Sequence, residues 1–253
     1  MNLLSKNRNP VEIIVGGAIA LLAVVLCAPP LQAQAAKQKY PSMAPIDQYL
    51  MDRDAEIALA KGGAPVSISK DATILVLRRH GYETAIKGTN GFVCIVERSW
   101  TSVIDFPEVW NPKIKASHCL NPPAARSILP VVLKKTDMTL AGDSVNEIIA
   151  GMKAAFDKKE LPALEPGAMS YMMAKGSYLT DNDDHNGPHL MFFVSLNRSD
   201  WGADLPGSPV ISSSYWFPAD DERALANGLP MLRVFATVVQ EWSDGTTALP
   251  MKH

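Results

Sequence analysis

Between Asp181 and His189 the chain reads Asp-Asn-Asp-Asp-His-Asn-Gly-Pro-His, three carboxylates and two imidazoles within nine residues. Carboxylate oxygens and imidazole nitrogens are the donors from which zinc, manganese or calcium sites are built. Asp183, Asp184, His185 and His189 are therefore candidate ligands for a divalent metal. The segment is not an EF-hand loop: Asn186 replaces the sixth-position glycine, and Phe192 stands where the closing Glu belongs. The competing reading is a solvated turn, in which Asp and Asn side chains bond their own backbone. His189 begins an apolar run and His80, beside Arg78 and Arg79, ends another. If those strand ends met, the two histidines, the arginines and Asp184 would line one pocket.

Aromatic residues offer a second chemistry. Trp100, Phe106 and Trp110 lie in a stretch, 99–121, that has no lasting period, and Trp201, Tyr215 and Trp216 lie in later loops. A connection this long within a domain is usually functional or disordered, and its aromatic content disfavours disorder. Exposed, these rings would make a binding surface, because aromatics bury large areas at low entropy cost. Folded back, they would form a satellite core beneath the loop.

Nucleophilic chemistry finds less support. Gly142-Asp143-Ser144 resembles the nucleophile block of GDS-type esterases, which also use a late Asp-x-x-His pair. Here Asn182 and Asn186 stand three residues before His185 and His189, which breaks that pattern. Ser144-x-x-Glu147 before an apolar helical run reads better as a capping box. Cys119 follows His118, but adjacent residues of an extended chain point to opposite sides. The chain has no Gly-x-Ser-x-Gly elbow, Walker loop, dinucleotide glycine fingerprint, His-Glu-x-x-His or Cys-x-x-Cys-His motif. No catalytic residue is assigned. Cys94 and Cys119 are expected to pair as a disulfide, the alternative being two separate buried thiols.

The elements that must position these residues follow from periodicity. Helices are expected over 45–61, 122–141 (kinked at Pro130) and 144–159, with a short one over 220–226. Strands are expected over 72–78, 82–87, 92–98, 168–174, 189–196 and 231–239. Gly88-Thr89-Asn90-Gly91 reads as a tight hairpin turn between the second and third. The sum is one α+β domain with a mainly antiparallel sheet of about six strands and about three main helices. Its bounds are 45–245, after a flexible leader at 36–44 and before a flexible tail at 246–253.

The start of the chain is read as a secretory signal peptide over 1–35. Lys6 and Arg8 supply a positive n-region, 13–28 is an unbroken run of apolar and small residues, and Pro29-Pro30 follow. Ala33-Gln34-Ala35 then places small side chains where a signal peptidase requires them. The run is short for a spanning helix, so no permanent membrane anchor is expected after cleavage. Leu26, before Cys27, disfavours lipid attachment. A formal net charge of −2 supplies no basic face for nucleic acid.

The stretch 91–100 (GFVCIVERSW) and the later Pro188-His189-Leu190-Met191-Phe192-Phe193 resemble a family of uncharacterised exported bacterial proteins with no known activity. That resemblance implies no cofactor, partner or site residue. The expectation is an exported, periplasmic or extracellular, binding or interaction domain for a small molecule or an envelope protein. The alternatives are an exported metal-dependent hydrolase and a structural envelope protein.

Overall fold

β-Branched and apolar runs fold into eight strands of one sheet among the described residues of the computed structural model, which are 39–101, 103–182, 187–218 and 220–248. The strands are β1 (Thr73–Arg78), β2 (Gly81–Ile86), β3 (Val93–Glu97), β4 (Ala116–Leu120), β5 (Met169–Met172), β6 (His189–Val194), β7 (Val210–Ser214) and β8 (Arg233–Val238). Their order is β2-β1-β3-β4-β5-β6-β8-β7. β1 and β3 run parallel and every other neighbouring pair antiparallel. The sheet is thus mixed, and it has more strands than periodicity alone suggests.

The expected hairpin between the second and third strands does not form. The tight connection is instead Arg79-His80, between β1 and β2. Residues 87–92 carry the chain past β1 to its other side, where β3 pairs with it. Asn90 serves the crossover rather than a hairpin. Its side-chain amide donates to Ile68 O at 2.8 Å, while Thr89 N donates to Asp71 O at 2.8 Å. Gly88 lies so close to the start of β1 that a Cβ there would sit 2.2 Å from the Ala72 carbonyl carbon.

The helix expected over 45–61 is also divided. A 3-10 turn at Ile46–Gln48 is followed by α1 (Arg53–Lys61), because Asp52 accepts from Asp54 N and Ala55 N and so caps a new helix. α2 is a single turn, Val66–Ser69. Pro130 acts as expected: α3 (Pro122–Ser127) ends before it and α4 (Leu129–Ala141) holds it in its first turn, where a missing N–H costs nothing. α5 (Val145–Asp157) opens with the Ser144–Glu147 capping box, and α6 (Asp221–Ala226) is capped by Asp220. No helix among the described residues is long and apolar enough to cross a membrane.

Alternation along β1 and β3 divides the core into two layers. Ile74, Val76, Cys94, Val96 and Cys119 form one cluster with Ala60 of α1. Leu75, Leu77, Ile95 and Leu120 join Ile128, Val132, Ile148 and Met152 of α3–α5 on the opposite face. Cys94 and Cys119 face one another in the β3–β4 register, at disulfide distance. A buried ion pair fixes the rim of β3. Glu56 of α1 accepts from Arg98 Nη2 at 2.7 Å and from Leu77 N at 3.1 Å, and both charged side chains are fully buried.

Residues 39–44, expected as the end of a flexible leader, are tied down. Tyr40, Met43 and Ala44 pack on the larger cluster, and Lys39 and Tyr40 both donate to Asp181. At the other end, Glu241 bridges to Thr247, and 249–253 lie outside the described residues.

Candidate ligand-binding site

Directly opposed residues of neighbouring strands project to the same face of a sheet. Ile95 stands opposite His118, and Cys119 opposite Tyr171, which brings His118 alongside Met172; Met172 in turn stands opposite His189. Further along that face come Met191 and Phe193 of β6, Val234 of β8 and Ser213 of β7. The 103–114 segment, Ile128 and Tyr215 close over these residues. They line a partly open cavity of about 340 Å³, at the lower end of the size range of small-molecule sites.

Its walls are apolar: Val103, Phe106, Ile114, Met172, Met191 and Phe193 contribute most of them. Its polar residues are distributed, with Glu97 and His118 on β3 and β4, His189 on β6, and Ser213, Ser214 and Tyr215 on or just after β7. Glu97 Oε1 lies 3.6 Å from His118 Nδ1, with each side chain 10% exposed. That separation is too long for a hydrogen bond. Glu97 Oε2 accepts from the Thr101 hydroxyl at 2.7 Å. His118 Nδ1 and the Tyr215 hydroxyl are buried without a hydrogen-bond partner among the described residues. An unmatched buried polar atom costs about 1–3 kcal/mol, and both belong to side chains of residues that line the cavity.

Behind this wall lies Lys135 of α4. Its ammonium donates to Thr101 O at 3.0 Å and sits over the rings of Tyr215 and Trp216. Burial pushes it down to about 7, against the opposing pull of Glu97. Burial also pushes the Tyr215 hydroxyl well above its ordinary range, and the Glu97 charge adds to that. His189 Nδ1 lies 2.8 Å from the Gly187 carbonyl. A carbonyl only accepts, so Nδ1 carries the proton and Nε2 keeps its lone pair. Burial holds this imidazole below its ordinary pKa, the Gly187 bond opposes that, and the nearby His118 lowers it further.

Of the two readings of the 99–121 stretch, Trp100 and Trp110 follow the folded-back one rather than the exposed face. Trp100 is 2% exposed, packs on Tyr49 and donates from its indole N–H to Thr136 Oγ1 at 3.1 Å. Trp110 is likewise buried, and its carbonyl accepts from Tyr49 Oη at 2.8 Å. Both indoles fold inward because the large cluster beneath the loop offers them more contact than solvent does. Phe106 alone of the three lines the cavity. Among the later aromatics, Trp216 is buried and Trp201 stacks on Phe235 at the surface.

Of the candidate metal ligands, Asp183, Asp184 and His185 lie outside the described residues, whereas His189 lines the cavity. Asp181, at the head of that acidic run, is taken up by Lys39, Lys113, Tyr40 and Tyr178, which hold its carboxyl well below the usual range. No group of three metal-ligating side chains occurs among the described residues. The suggested meeting of His80 with His189 does not occur in the cavity lining. His80 is exposed in the β1–β2 turn, Arg78 pairs with Glu56 and Arg79 with Asp47. His118 occupies the place that had been expected for it.

Sequence reasoning missed Glu97, His118 and Lys135 as site residues, and named Tyr215 only among the aromatics of the later loops. Two of them left a trace. Glu97 continues the alternation Val93, Ile95 onto an inward face, and Lys135 falls within the buried stripe Val131, Val132, Thr136, Thr139 of α4.

A larger cleft of about 570 Å³ lies between α3–α5 and the start of β8. Its serine hydroxyls are already satisfied, Ser127 by Pro123 O and Ser195 by Met231 O. The smaller cavity is the better candidate because it alone combines apolar walls with unmatched buried polar atoms. No family model, curated protein or solved structure matches this chain.

Proposed function

We propose that this protein is an exported binding domain that holds a small, mostly apolar molecule in the cavity between the sheet and the 103–114 segment. The observation that carries this reading is a cavity with mostly apolar walls whose lining also includes Glu97, His118 and Tyr215. The aromatic contribution expected from the long loop passes to Phe106, while Trp100 and Trp110 support the loop from below. The test is a ligand-observed NMR screen of neutral aromatic fragments against the wild type and Met191→Trp, whose indole would fill the cavity. Binding lost in the variant while its melting temperature holds is the expected result. Equal binding by both proteins would remove the cavity from the proposal.

Export is part of the same reading and rests on the residues of 1–35. The intact mass of protein from the exported fraction should correspond to a chain starting at Ala36, two hydrogens light for the Cys94–Cys119 pair. A chain starting at Met1 would overturn it. The same spectrum, recorded natively, tests the metal-dependent hydrolase: a stoichiometric metal adduct that disappears in His189→Ala would put that reading ahead.

A further inference from the structure

The chemistry of the polar end narrows the ligand class. Among the described residues that line the cavity, Glu97 is the only carboxylate and none is a lysine or arginine. A carboxylate or phosphate ligand would bring a second anion beside Glu97 with no cation in that described lining to meet it, in surroundings where like charges interact strongly. An ammonium meets the opposite situation. Its N–H donors can be met by Glu97 Oε1, with His118 and Tyr215 in the same lining.

The Glu97–His118 spacing is compatible with this, since at 3.6 Å Oε1 and Nδ1 are too far apart to bond one another. His118 is nine-tenths buried and its Nδ1 is unmatched, as is Tyr215 Oη. Thr101 already occupies the other carboxylate oxygen, so Oε1 is the one left for a ligand. Lys135 is not among the lining residues. Its ammonium is turned toward Thr101 O and the two rings behind the wall, and its burial leaves it only partly charged near neutral pH. It therefore offsets only part of the Glu97 charge.

Resting on the cavity reading above, we infer that the ligand is a small apolar primary amine, its ammonium held by Glu97 and its hydrocarbon against Phe106, Met191 and Phe193. Recognition of this kind discriminates by charge at one end and by size at the other.

Three probes of one shape test it: 4-phenylbutylamine, 4-phenylbutan-1-ol and 4-phenylbutanoate, titrated into the mature chain at pH 7 by ligand-observed NMR. The expected order is amine tighter than alcohol by about ten-fold, as a charge-assisted bond requires, with the acid weakest. Met191→Trp should abolish all binding. Glu97→Gln should close the gap between amine and alcohol by weakening the amine more than the alcohol. If the alcohol binds in a Met191-dependent way but the amine gains nothing, the amine class is wrong and the cavity reading stands. If none of the three binds, both readings fail. The wild-type comparison decides the matter even if Glu97→Gln does not fold.

Discussion

Lys135 is a lysine wholly enclosed by protein, and its titration has a consequence for stability. In the unfolded chain it loses its proton around its ordinary value of 10.5, and in the folded chain around 7. Between those values the unfolded state binds more protons than the folded one, so stability rises with pH across the window and is level below it. Lys115, half-buried and also pushed down to about 7 by burial and by Arg98, adds to the effect with solvent screening. Denaturant unfolding of wild type and Lys135→Met at several pH values from 7 to 10 should show a shallower rise in the variant. Identical slopes would mean that Lys135 keeps its proton in the folded protein. His189 was legible as a strand-initiating histidine, and it does line the site. His118 was not, because its neighbour Cys119 drew the reading and only the β4 register reveals where the imidazole points.

At the scale of elements, α1 is attached to the sheet through charge as well as packing. Glu56 satisfies Arg98, Arg78 and the Leu77 N–H together. Removing its carboxylate in Glu56→Ala leaves the Arg98 guanidinium enclosed and unbalanced, and about 3–5 kcal/mol of stability should be lost. Chemical denaturation measures this directly; a loss below about 1 kcal/mol would mean that the pair behaves as a surface salt bridge. The elements differ in how far sequence reveals them. α5 was legible with its cap because its signals are local, and so was the break at Pro130. β4 was hidden because all five of its residues are buried, which erases alternation. β7 was hidden because Val-Ile-Ser-Ser-Ser at a sheet edge looks like a loop. The misplaced hairpin has a related cause: Asn-Gly promotes a turn, but long-range pairing decides what the turn connects.

For the whole molecule, the Cys94–Cys119 pair closes a loop with a separation of 25 residues, the span that contains the 103–114 cover of the cavity. A loop of this length contributes about 3 kcal/mol by restricting the unfolded chain. Thermal melts with and without reductant should differ accordingly, and the Cys94→Ala/Cys119→Ala double variant should melt like the reduced protein. Coincident melts would show that the thiols are not joined. The class of fold was accessible from periodicity, since each helix or strand announces itself within a few residues. The cavity was not, because its lining comes from β3 to β8 and from several of the segments that connect them, and membership depends on register.

The two ends of the cavity are built on unequal foundations. The end with Glu97 and His118 stands where helices cover both faces of the sheet and where the cysteine pair and the Glu56–Arg98 contact tie the elements together. The end with Met191, Val234 and Ser213 stands near the outermost strand, where Ile211 and Val238 meet solvent. Local opening favours regions with few buried contacts, so breathing motions belong to the apolar end. A guest would meet a recognition head already set in place, and the ordering entropy of binding would fall almost entirely on the outer strands. Affinity could then be tuned by loosening or stiffening that margin, with no change to the groups that decide which molecule is chosen.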